Sequence, residues 1–173
     1  MKRYFNWDDT VKRINVSDNI ITAYFKSGKK DIVIINIGTD KCIGDCLGPL
    51  VGSNLQGLVG DNIYVYGTLD EPIHALNIHD KLYEIHEKHK DAFIIGVDAC
   101  LGNVDHIGRI EVRDQPLKPG KGVGKRLPPV GDVSIVGIVD DSENAEFFSN
   151  RPIRLSFIYK LANSIELLLN HTI

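Results

Sequence analysis

Two short acidic turns hold the residues best suited to chemistry. The first reads Gly38-Thr39-Asp40-Lys41-Cys42-Ile43-Gly44-Asp45-Cys46-Leu47-Gly48-Pro49, the second Gly96-Val97-Asp98-Ala99-Cys100-Leu101-Gly102. Each follows an apolar, β-branched run: Ile32 to Ile37 before the first, Ala92 to Val97 before the second. An open parallel sheet gathers its ligands at the carboxyl ends of its strands. The two turns are therefore expected to set Asp45 and Asp98, with Asp40, around one cleft. Carboxylates at such an edge suit acid/base hydrolysis or a divalent metal.

Each of these residues also has a simpler use. Asp45 stands just before an expected helix and suits an N-cap. Asp40 suits a turn, bonding the local backbone. Asp98 ends a buried strand, where it suits bonding to loop amides. A carboxylate entering an apolar wall has its pKa raised by desolvation, which is also what a general acid or base needs at neutral pH. Among six histidines, His79, His86 and His89 sit between charged residues and read as a solvated helix face. His74 and His106 lie near the acidic turns and are candidates for a metal ligand or a proton relay.

Three cysteines, Cys42, Cys46 and Cys100, do not make a disulfide scaffold, and Cys42 and Cys46 lack the C-x-x-C spacing. They read as small buried side chains under the loops, with a thiol role as the alternative. Gly120 to Arg126 invites a phosphate-loop reading but has Pro119 and Arg126 where that motif needs Gly and Ser/Thr. Within Asp114 to Pro129 it reads as a basic surface loop, with a lid or partner contact as the alternative.

The elements that would position the turns follow from periodicity. Asp8-Asp9-Thr10 opens a helical segment that Ser27-Gly28 closes. Ile32 to Ile37 is a strand buried on both faces, as parallel sheets require. Leu47 to Val59 is a helix with Pro49 tolerated near its start. Ile63 to Tyr66 is a second strand. Asp70-Glu71-Pro72 is expected to start a helix to about Lys90, and Phe93 to Val97 is a third strand. Ile107 to Val112 is a more polar strand near an edge, and Val133 to Val139 another apolar one. Asp141 caps a short helix to about Phe148, and Ile153 to Asn170 is a final helix. The alternation predicts a three-layer α/β/α sandwich with a mostly parallel central sheet.

With 173 residues, one domain spanning 1–173 is expected. The formal net charge of −3 argues against direct nucleic-acid binding. No apolar run approaches the roughly 20 residues that span a membrane. The first residues lack the apolar stretch of a signal peptide, so a cytoplasmic protein is expected.

Gly44-Asp45-Cys46-Leu47-Gly48-Pro49 resembles the Asp-x-Leu-Gly-Pro element of the spore germination protease. Val97-Asp98-Ala99 resembles that enzyme's second acidic element, and the hydrogenase maturation proteases hold acidic metal-binding residues at the same two positions. Taken with Asp70-Glu71-Pro72-Ile73-His74-Ala75-Leu76, these turns most resemble the YyaC-like sporulation proteins of spore-forming bacteria, over roughly residues 30–170. The resemblance implies a hydrogenase maturation protease-like fold and a sporulation-associated peptidase with Asp45 and Asp98 as its catalytic pair and Asp40 in support. It further implies hydrolysis without a cofactor, in a spore-forming cell, with small acid-soluble spore proteins as substrates. The maturation enzymes' third ligand, a histidine, has no counterpart in Pro128-Pro129-Val130-Gly131. Two alternatives stay open: a non-catalytic member of the fold that binds a peptide or protein, and a divalent-metal hydrolase.

Overall fold

A computed structural model describes residues 2–57, 60–120, 127–142 and 152–173. Its centre is one six-stranded sheet. The strands are β1 (Lys2–Asn6), β2 (Ile32–Asn36), β3 (Ile63–Tyr66), β4 (Phe93–Gly102), β5 (Arg109–Arg113) and β6 (Val133–Asp141). Their order across the sheet is β1-β5-β6-β4-β2-β3. The block β3, β2, β4 and β6 is parallel, whereas β5 runs antiparallel to β6 and to β1. The mostly parallel sheet is as expected.

Four helices cover it: α1 (Thr10–Ser27), α2 (Leu47–Leu55), α3 (Ile78–Lys88) and α4 (Leu155–Thr172). On one face, Val16 and Ile20 of α1, Leu47, Val51 and Leu55 of α2, and the apolar stripe of α4 pack on Ile34, Phe93, Ile95, Val97 and Ile135. On the other, Ile78, Leu82 and Ile85 of α3 meet Val33, Ile35, Ile94 and Val136. The layers are thus α/β/α. Every residue of β2 is buried, because a central parallel strand is covered on both sides.

Local chemistry explains the element ends. Asp9 caps α1 by accepting from the Lys12 N–H at 3.0 Å, satisfying an amide the helix leaves free. Gly28 closes the helix in the left-handed conformation, φ +69°, where a side chain would be strained.

Four expectations need correction. Residues 70–77 are not helical, and α3 begins only at Ile78. Ile73 is held extended by a bridge to Ile37. The Asn77 side chain donates to the Pro72 carbonyl at 3.0 Å and accepts from the His74 N–H at 2.8 Å, an arrangement that competes with helix formation. Second, β4 runs on to Gly102, because β6 extends to Asp141 and pairs with it from Ile95 onward, with one register shift between Cys100 and Leu101. Third, Asp141 ends that strand, and the body of the helix expected to about Phe148 lies outside the described residues. Fourth, Lys2–Asn6 is a strand. It was hidden because Phe5 alone of its residues is buried, so it shows no run or alternation. The basic stretch 121–126 also lies outside the described residues.

Candidate active site

The first acidic turn is folded back onto the end of β2. Ile37 donates its N–H to the Val97 carbonyl and Gly38 its own to that of Ile73, each at 2.8 Å, and Thr39 donates to the Asp45 carbonyl at 3.0 Å. Two glycines allow this closeness. A Cβ on Gly38, where φ is +143°, would sit 2.0 Å from the Asp45 carbonyl oxygen, and one on Gly48 would sit 2.2 Å from that of Ile37. Such spacing leaves no room for a side chain.

Asp45 ends a single 3-10 turn, Ile43–Asp45, just before α2. It does not cap that helix: Cys46 holds the N-cap position, with no side-chain bond. Among the described residues nothing donates to the Asp45 carboxylate, and burial pushes its pKa up to about 6. Asp98 lies within β4, opposite Val136 of β6, and is 8% exposed. Burial first, then the charge of Asp45, hold its carboxyl well above the ordinary range, with the Ala99 amide pulling the other way. The two carboxylates therefore share one electrostatic environment. Because β2 and β4 are parallel, with Asn36 opposite Val97, both stand at the same end of the sheet.

Asp40 is exposed at the rim of the turn. Its charge acts on Cys46, whose thiol is raised by burial first and then by Asp40, Asp45 and Cys42. All three cysteines are free, and burial pushes the Cys100 thiol up to about 12. Thiols so raised stay protonated and are poor nucleophiles.

The histidines separate. His74 directly follows Ile73, the residue bonded to Gly38, and its Nδ1 accepts from the Leu76 N–H at 3.3 Å. In the neutral ring the proton then sits on Nε2, which can donate. His106 instead stacks on Tyr4 with ring centroids 6.2 Å apart, at the β1 edge. His79 and His86 are exposed as expected, but His89 is buried, and its Nε2 lies 2.7 Å from the Tyr66 hydroxyl. A contact from β3 decides that, and the periodicity of α3 cannot show it.

Among the described residues no three of His, Cys, Asp and Glu converge into a group that could hold a metal. Val130, in the loop where a third ligand would be sought, is buried and bridged to Leu117. The donors present among the described residues do not fit a three-ligand centre.

Asn36 is the residue the sequence reading passed over. It is fully buried, its Nδ2 donates to the Tyr66 carbonyl at 2.9 Å, and its Oδ1 has no partner among the described residues. A lone amide inside the run Ile32 to Ile37 was the available signal.

Residues 5–167 match a family described as "Protein of unknown function (DUF1256)". The chain belongs to the DUF1256 family. Over 163 residues it is 43% identical to "Uncharacterized protein YyaC" of Bacillus subtilis (strain 168), covering 94% of this chain and 80% of that protein. Its fold is similar to the crystal structure of the NiFe hydrogenase maturation protease HycI from Thermococcus kodakarensis KOD1. The TM-score is 0.51 at 22% identity, over 87% of this chain and 98% of that one. At that identity the likeness is one of fold, and the fold is that of a maturation protease.

Proposed function

We propose that this DUF1256 member is a sporulation-associated peptidase of the germination protease type, working in the cytoplasm of a spore-forming cell. The observation that carries the reading is the pair of carboxylates, Asp45 half-buried and Asp98 buried, in which the charge of Asp45 raises the pKa of Asp98. Two carboxyl groups with separated pKa values divide into an acid and a base. Asp45, at about 6, is ionised at neutral pH and takes a proton from water as the water oxygen attacks the peptide carbonyl. Asp98, held well above the usual range, keeps its proton and passes it to the leaving amine. The C–N bond breaks; of the water's two protons one is on Asp45 and the other stays on the new carboxyl group, while the new amine carries the proton from Asp98. Transfer from Asp45 back to Asp98 restores the pair. Asp40 supports the turn from its rim.

The test is cleavage of small acid-soluble spore proteins by wild type and Asp98→Asn, each with and without chelator. Wild type is expected to cleave in chelator, and the variant to lose roughly 10²–10⁴-fold in rate, as removal of a general acid does. Loss of cleavage in chelator would replace this reading with a metal hydrolase. No cleavage by wild type would leave a binding role.

A further inference from the structure

At one margin of the sheet, β3 pairs among the described residues with β2 alone. Its main-chain directions follow from its bonds. The Asn62 carbonyl accepts from the Ile32 N–H at 2.9 Å, and the Tyr66 carbonyl accepts from Asn36 Nδ2. Residues 62 and 66 therefore face β2. In a parallel ladder, alternate residues turn both N–H and C=O to the same side, so Val65 turns both outward. Beside it lies a cavity of about 270 Å³, bounded by Gln56 at the end of α2, Val65 of β3, the segment after β3 with Glu71, whose charge acts on Lys81, and Lys81, Glu84 and Lys88 of α3. α2 and α3 belong to opposite helical layers. The cavity thus lies at the sheet margin beside the outward edge of Val65, between α3, the chain after β3 and the end of α2.

We propose that β3 takes an extended peptide as an added strand, with the Val65 N–H and C=O as its main-chain partners, and that this is how the peptidase holds its substrate. Main-chain pairing would supply affinity and the flanking walls the selection of side chains. Lys88 stands over the Tyr66 ring at 5.9 Å and meets no carboxylate among the described residues. An acidic side chain on the peptide complements it, while Lys81 is already paired with Glu84 at 3.0 Å. The cavity lies at the carboxyl end of β3, the same sheet end as Asp45 and Asp98. An added strand would stand three strand spacings from β4, about 15 Å, which extended chain covers in about four or five residues. The bond to be cut then lies about that far from the recognised segment.

As a substrate path the inference rests on the peptidase reading; as a binding edge it is tested without it. Displayed random peptides are selected on Asp98→Asn protein, and the winners are titrated calorimetrically against that protein with and without Val65→Pro. Proline is tolerated where an edge strand turns its N–H away from the sheet. The expected result is enrichment of acidic, extended sequences that protect the Val65 amide from hydrogen exchange and bind about tenfold more weakly to the proline variant, the effect of losing one or two hydrogen bonds. Should Val65→Pro not fold, the same peptides N-methylated at alternate positions carry the comparison, with one set of positions weakened and the other not. Failure to select any peptide, or equal affinity in both comparisons, overturns the proposal. Binding at β3 by a protein that cleaves nothing would sink the peptidase reading alone.

Discussion

Asp98 weakens the fold it sits in. Its folded pKa lies above the ordinary value of 3.8, so the folded state binds this proton more tightly than the unfolded chain does. The stability this gives is complete below about pH 4 and is lost as pH rises through the folded value. Asp98→Asn is therefore expected to be inactive yet more stable at pH 7.5, by about 1–3 kcal/mol, with the gain fading toward pH 4. Thermal melts of both proteins across pH check this; equal melting temperatures throughout would refute the buried charge. Asp45 acts likewise in a window from 3.8 to about 6. The same pair sets the rate: activity is expected to rise through about pH 6 as Asp45 ionises, and to fall at higher pH as Asp98 does. A pH–rate profile flat from 5 to 8 would exclude these roles, since the ionisation of Asp45 at about 6 must show there. Both carboxylates were legible because glycine-rich turns after apolar runs mark strand ends. His89 and Asn36 were not, since each is defined by a partner on another strand.

Turn and helix geometry makes the acidic loop intolerant. Adding a Cβ at Gly48 drives it into the Ile37 carbonyl, main chain against main chain, and Gly48→Ala is expected to cost about 3 kcal/mol in urea unfolding. Gly28→Ala meets nothing within 4 Å but keeps φ at +69°, so its cost is only about 1–2 kcal/mol, that of a left-handed alanine. Equal losses would show that the loop gives way more easily than its contacts imply. At this scale the sequence was a good guide to the buried strands and to α4, whose residues Ile158, Leu161, Ile165 and Leu168 are fully covered. It misplaced the start of α3, because Asn77 and the Ile37–Ile73 bridge organise residues 70–77 through contacts that helical spacing does not record.

Across the whole molecule, the two sheet margins are treated differently. Among the described residues β1 and β3 are the two margins, each with one neighbour, but β1 runs antiparallel on β5 and buries Phe5 in the core, while β3 lies parallel to β2 with all four of its residues half-buried. Deleting residues 2–6 is expected to bare β5 and promote association, because an uncovered edge pairs with other chains. Light scattering on heating would show it, and an unchanged, monomeric melt would argue that β1 is dispensable. The layered arrangement was legible from the alternation of strands and helices; the strand order was not, since it depends on pairings far apart in the chain. The pairing of Asn6 with Arg109 also has a temporal side. A ribosome adds about 5–20 residues per second, so β1 waits on the order of 5–20 seconds after its own synthesis before its partner exists. During that interval the growing chain carries a strand whose partner is not yet made, and α1 waits longer still for α4.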